Sequence, residues 1–167
     1  MAPKQILNNL QILQKVRRIA FEIYENNFEE KELIIAGIKG QGHILAKLLT
    51  AELQNISEIE VHYVQIIFDK DSPYDNSAVF DCDERFLEKK AIIVVDDVLN
   101  TGRTLAYSLS PFLSIPVKRL QVAVMVDRDY RRFPIKADFV GYTLSTTISD
   151  HISVSLQAEG NFGVFMD

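Results

Sequence analysis

Asp96 and Asp97 stand side by side directly after the apolar run of residues 92–95, and Asn100, Thr101, Gly102, Arg103 and Thr104 follow two residues further on. Adjacent carboxylates suit the two hydroxyls of a ribose, since each can accept a hydrogen bond from an O–H. The loop that follows suits a phosphate. Gly102 lets the backbone come close, successive N–H groups can point inward, and Thr101 and Thr104 add hydroxyl donors. A helix opening after the loop contributes its positive end. Arg103 faces either the phosphate or solvent. The plain alternative is a strand, an acidic turn and a helix N-cap, because Asp and Thr are common at such positions. Two acids and Thr-Gly-Arg-Thr behind one β-branched run form a much more specific pattern than either part alone.

A second group of chemical interest is Gly37-Ile38-Lys39-Gly40-Gln41-Gly42. Backbone donors and the Lys39 cation in a tight turn before a helix would suit a diphosphate. The segment is not a P-loop, because the spacing and the Gly-Lys-Ser/Thr ending are missing. Its glycines are also misplaced for a dinucleotide fingerprint.

Positioning these residues requires strands that end in loops. Ile6, Leu10, Leu13, Val16, Ile19, Ala20 and Ile23 recur at helical steps and predict an amphipathic helix. Residues 33–38 read as a strand, and residues 43–53 as a helix after the glycine turn. Residues 61–68 form a second apolar run. The polar stretch 69–84, with its Pro and clustered Asp, Ser and Asn, predicts a loop or irregular hairpin. Residues 91–97 are the third strand, and helical character then runs from Thr104 to Pro111. Residues 120–126 are a fourth buried strand, and short strands at 139–144 and 152–156 close the chain. Apolar strands alternating with helices imply βαβ crossovers, hence an α/β fold with a mostly parallel twisted sheet flanked by helices. No linker or repeat divides residues 1–167, so one domain is expected. Ligands of such sheets lie beyond the carboxyl ends of the strands, where both loops fall.

Composition narrows the function. A chain of 167 residues with 47% hydrophobic content can bury a core without metal or disulfide, and its single cysteine, Cys82, has no internal partner. The absence of a long apolar run and of a basic-then-apolar start predicts a cytoplasmic protein with no membrane association. A formal net charge of −5 argues against broad, sequence-independent nucleic-acid binding. The best candidate for a local basic patch runs from Lys118 and Arg119 through Arg128, Arg131 and Arg132 to Lys136, but the favoured reading of these residues is solvated loop and strand-end charge.

The segment Asp-Asp-Val-Leu-Asn-Thr-Gly-Arg-Thr at 96–104 resembles the signature of type I phosphoribosyltransferases for 5-phosphoribosyl-1-diphosphate (PRPP). With Val-Asp-Arg-Asp-Tyr-Arg-Arg-Phe-Pro-Ile-Lys-Ala-Asp-Phe-Val-Gly at 126–141, it looks like the pyrimidine operon attenuator/uracil phosphoribosyltransferase family. The similarity covers most of the chain and is weakest in residues 69–84, where the family carries a mobile flap. The resemblance implies that Asp96 and Asp97 hold the ribose hydroxyls and that Thr101 to Thr104 hold the 5-phosphate. It also implies that Lys39 and Gly40 face the diphosphate and that Asp127 and Arg128 lie near the base, the plain alternative for these two being an Asp–Arg pair that ties the loop to the sheet. Magnesium would arrive on the PRPP oxygens rather than in a protein cage.

Three departures qualify this. Gly40 and Gln41 replace a Thr-Arg pair, removing a cation beside the diphosphate. Asn100 stands where purine-specific relatives carry an Asp base, and an amide cannot accept a proton at neutral pH. Gln157 replaces an acidic residue near the last strand. The implied activity is transfer of ribose-5-phosphate from PRPP to a nucleobase, uracil by resemblance, by a homodimeric enzyme. The alternative is a nucleotide-sensing RNA-binding regulator of pyrimidine genes, to which these departures matter less.

Overall fold

The computed structural model describes residues 2–157 and 162–167. Five parallel strands make the central sheet: β2 (Glu32–Ile38), β3 (Glu60–Ile67), β5 (Ala91–Leu99), β6 (Arg119–Asp127) and β7 (Phe139–Thr143). A two-residue strand, β4 (Val79–Phe80), pairs antiparallel with the edge of β3, so the spatial order is β4-β3-β2-β5-β6-β7. β2 and β5 are buried almost throughout, as strands covered on both faces must be. The polar stretch after β3 is therefore an irregular hairpin that returns to the sheet edge.

Helices α1 (Asn9–Asn27) and α2 (Gln41–Ile56) cover one face, packing Ile12, Val16, Ile19, Leu45 and Leu49 against Leu33, Ile35, Ile93 and Val95. The other face is covered by α3 (Arg103–Leu109) and the 3-10 turn Ser110–Ser114, which bury Leu105 and Phe112 against Ile34, Ile92, Val94 and Val124. A second, three-stranded antiparallel sheet joins β1 (Lys4–Leu7), β9 (Gly163–Met166) and β8 (Ile152–Ser155).

Three sequence expectations are corrected. The first helix begins at Asn9, because Asn8 and Gln11 form a reciprocal capping box with both side-chain to backbone bonds at 2.9 Å. Ile6 belongs instead to β1, and Leu10 and Leu13 are 65% and 42% exposed, so the buried stripe starts at Ile12. The strands at 139–144 and 152–156 do not close the chain, since β9 follows them; β7 joins the main sheet and β8 the small one. β5 runs two residues past the acids, to Leu99, because its pairing with β6 continues to Leu99↔Asp127. Lys118 and Arg119 lie at the start of β6 and Arg128 to Lys136 beyond its end, so these cations are strand-end and loop charge, as the favoured reading has it, rather than one patch.

Topology places the site. Pairing of β2 with β5 stops at Gly37↔Val95, whereas β5 and β6 stay paired four residues longer. The chain leaves β2 through α2 toward β3 on one side, and leaves β5 through α3 toward β6 on the other. The carboxyl ends of β2 and β5 thus flank the switch point of the sheet, where a crevice opens.

Candidate functional site

Asp96 is the first residue of β5 beyond the β2 pairing and is 2% exposed. Its Oδ1 accepts the Asp97 N–H at 3.0 Å and lies 3.6 Å from Lys70 Nζ, which reaches in from the segment after β3. Burial, and then repulsion from Asp97, push the Asp96 carboxyl up to about 8, with Lys70 opposing the rise. The same Oδ1 lies 3.0 Å from where a Cβ on Gly42 would sit, and the Val95 carbonyl lies 2.8 Å from it. Glycine at this position is what lets the first turn of α2 close onto the acid.

The 96–105 segment encloses a small cavity of about 40 Å³, lined by Asp96 and by Asn100, Thr101, Gly102, Arg103 and Thr104. Gly102 caps α3 at φ +86°, a left-handed conformation that favours glycine. The Thr101 carbonyl accepts from both Arg132 N and Phe133 N at 2.9 Å, and Thr101 Oγ1 accepts from Arg103 N at 3.3 Å. Asn100 Oδ1 is buried without a hydrogen-bond partner among the described residues, beside this cavity.

Lys39 and Gly40 lie across the crevice in an open hollow of about 690 Å³, shared with Phe68, Asp69, Lys70, Asn76 and Ser77. Gly40 caps α2 at φ +106°. Gln41 is turned away, its Oε1 accepting the Leu156 N–H at 2.8 Å and so tying α2 to the small sheet. Gln157 is exposed.

Asp127 and Arg128 are both engaged by loops. Asp127 accepts from Arg131 and from Asp129 N at 2.9 Å. Arg128 donates to Thr146 Oγ1 and to the Thr147 carbonyl at 2.7 Å, with its guanidinium 5.1 Å from the Tyr130 ring centre. The structure therefore puts Asp96 and the 100–104 loop around one cavity and Lys39 and Gly40 in a neighbouring hollow, joined to it by the contact of Lys70 with Asp96. Asp97 lines neither, and Asp127 is linked to the loop through Arg131.

Two residues were missed as parts of the site. Arg131 donates to the Asn100 carbonyl at 2.7 Å, to the Leu99 carbonyl at 3.5 Å and to the Ile135 carbonyl at 3.0 Å, fastening the loop from behind. Its sequence signal was only membership of a basic run. Lys70 is the sole cation of residues 69–84, a signal that marked the charge without its target.

Residues 3–159 match the phosphoribosyl transferase domain, and the chain belongs to that family. It is 34% identical to bifunctional protein PyrR of Leuconostoc mesenteroides, over 94% of this chain and 93% of that one. It is 32% identical to the pyrimidine operon regulatory protein of Lactococcus lactis, over 99% and 98% of the two chains. Its fold is that of the type I phosphoribosyltransferases. Hypoxanthine phosphoribosyltransferase from Trypanosoma cruzi, solved with the product IMP, superposes at a TM-score of 0.74 with 16% identity, covering 98% of this chain and 94% of that one. A hypoxanthine-guanine phosphoribosyltransferase from Bacillus anthracis superposes at 0.68 with 20% identity, covering 86% and 83%.

Phosphoribosyltransferases work with magnesium and PRPP, and the donor set fits that metal. A carboxyl pushed up to about 8 by burial and by a neighbouring acid marks a place where added positive charge is favoured. Hard carboxylate oxygens suit magnesium, which keeps much of its own water and substrate oxygen. Among the described residues, the one cluster of three metal-type ligands is Glu32, Glu60 and His62. It sits at the amino ends of β2 and β3, away from the crevice. Asp96 and Asp97 are the carboxyl groups that would serve such a metal, directly or through a ligand's oxygens.

Proposed function

We propose that this protein binds PRPP across the crevice between β2 and β5 and transfers its ribose-5-phosphate group to uracil, releasing diphosphate. The observation that carries the reading is the pairing of a buried acid, Asp96, with the left-handed Gly102 loop at the switch point of the sheet. The 5-phosphate enters the 101–104 loop, with backbone N–H groups and the two threonine hydroxyls as its donors. Asp96 and Asp97 accept the ribose hydroxyls and favour positive charge developing at the adjoining C1 carbon. Lys39 and the backbone before α2 hold the diphosphate. Asp127 and Arg128, braced by their loops, frame the base.

In the reaction the C1–oxygen bond to diphosphate breaks, a ring nitrogen of the base bonds to C1, and that nitrogen loses its proton. When bound, magnesium neutralises charge on the departing diphosphate. Asn100 supports a pyrimidine over the purine route, since its amide cannot take up the proton that an Asp would. Uracil's ring N–H is more acidic than a simple amide, so no strong base is demanded of the protein.

The test is to supply magnesium, PRPP and, in turn, uracil, hypoxanthine, guanine and orotate, and to measure diphosphate release. Release with uracil alone is expected, and silence with all four from folded protein sinks the enzyme reading. The relatives' names, bifunctional and pyrimidine operon regulatory, favour a second reading beside it, in which UMP in the same crevice controls binding to a pyrimidine-operon leader RNA. Leader binding with and without UMP at fixed salt checks it, and absence of specific binding removes it.

A further inference from the structure

We infer that Lys70, on the segment after β3, supplies the second cation for the diphosphate of PRPP, replacing the one that the Gly40-Gln41 turn does not provide. This rests on the PRPP reading above. The turn before α2 offers little charge of its own. Gly40 has no side chain, and Gln41 is committed to the Leu156 N–H at 2.8 Å, facing the small sheet. That leaves Lys39 and backbone donors for a leaving group carrying several negative charges.

Lys70 makes up the shortfall from the opposite wall. It lines the same open hollow as Lys39 and Gly40 and is the only cation between residues 69 and 84. Its Nζ is 3.6 Å from Asp96 Oδ1, the oxygen that also lies 3.0 Å from where a Cβ on Gly42 would sit. The ammonium is thereby carried across the crevice to the first turn of α2. Its side chain is 41% exposed and holds a single ion pair, so it is free to exchange partners. When ribose hydroxyls occupy Asp96, the Lys70 ammonium passes to the diphosphate oxygens beside it. A lysine suits this task better than an arginine fixed in the turn, because its long stem lets one charge serve first the empty acid and then the ligand.

The alternative role, neutralising Asp96 alone, makes a different prediction for ligands that lack the diphosphate. The experiment is titration calorimetry of wild type, Lys70→Gln and Lys70→Arg with PRPP, inorganic diphosphate and ribose 5-phosphate, all at the same magnesium concentration. Lys70→Gln is expected to weaken PRPP and diphosphate by about tenfold or more, the loss of one charge-assisted contact. Ribose 5-phosphate should change less than about twofold, under half a kilocalorie at RT of ~0.59 kcal/mol, and Lys70→Arg should recover most of the loss. Equal diphosphate affinity in wild type and Lys70→Gln overturns the inference while leaving the PRPP reading intact. Parallel loss of ribose 5-phosphate also overturns it, because Lys70 would then act through Asp96. Failure of wild type to bind PRPP at all overturns the underlying reading, and the inference with it.

Discussion

Asp96 is where the residue scale is most informative, because its burial and its function pull in opposite directions. Its carboxyl is pushed from an ordinary 3.8 to about 8, so the folded protein holds a proton there that the unfolded chain has lost above about pH 4. The sign follows: between those two values the native state binds more protons than the unfolded one, and stability falls as pH rises. Asp96→Asn removes this penalty and should raise Tm by several degrees at pH 8 and much less at pH 4, as read by thermal unfolding across that range. The same substitution should lower PRPP affinity and turnover by about tenfold or more, since a ribose hydroxyl would meet an amide in place of a carboxyl that the positive charge of a bound metal can ionise. Asp97→Asn should lower both as well. Unaltered PRPP affinity and turnover in the two variants would refute the ribose assignment. A stabilised but impaired Asp96→Asn is the signature of an acid kept for binding rather than for packing.

At the scale of elements, the 100–104 loop is held in shape by the segment after β6 rather than by α3, which is only seven residues long. Arg131 ties three carbonyls and the Asp127 carboxylate together. Arg131→Met leaves those acceptors without their donor and should lower stability by about 2 kcal/mol, a Tm drop of roughly 4–8 °C. It should also raise KM for PRPP more than it lowers kcat, read from initial rates. Gly102→Ala should cost about 1–2 kcal/mol for the left-handed φ alone, and its Cβ would meet the Phe133 carbonyl and the Ile135 side chain, both at 3.2 Å. Its expected outcome is weakened PRPP binding with the fold retained, checked by far-UV circular dichroism beside calorimetry.

This division of labour explains what the sequence made legible. The acids and the glycine loop carry their chemistry in adjacent positions, and the apolar runs of β2, β5 and β6 have the density of strands covered on both faces. Arg131 and Lys70 act across 31 and 26 residues of chain respectively, on Asn100 and Asp96, and no local pattern encodes such a contact. The same holds for β1 and β9, which pair with each other from near the two ends of the described chain. The start of α1 was misplaced for a local reason: Ile6 and Leu10 match the helical period, but the Asn8–Gln11 capping box overrides it.

For the molecule as a whole, charge placement decides how it could meet a polyanion. The net charge of −5 disfavours nucleic acid in general, and the arrangement of the cations restricts it further. Lys118 pairs with Glu30, and Arg119 donates to the Asn26 carbonyl and Asn27 side chain. Both lie roughly 26 Å, the length of β6, from the site end. At the site end Arg131 and Arg128 are spent inside the fold; apart from Lys39 and Lys70 in the crevice, this leaves Arg132 and Lys136 exposed and Arg103 half-buried in the loop. Three phosphate contacts by one subunit would give a slope of log affinity against log salt of about −2 for single-stranded RNA. A homodimer related by a two-fold axis brings two such ends into one particle and would roughly double it. Sedimentation of the free protein, followed by leader-RNA titrations between low and moderate salt with UMP present, tests this directly. A dimer with a slope near −4 is expected if the chain regulates RNA. A slope near −2 from a dimer would mean that each RNA engages one subunit alone. A slope near zero would leave the cations of the site end to PRPP and its products.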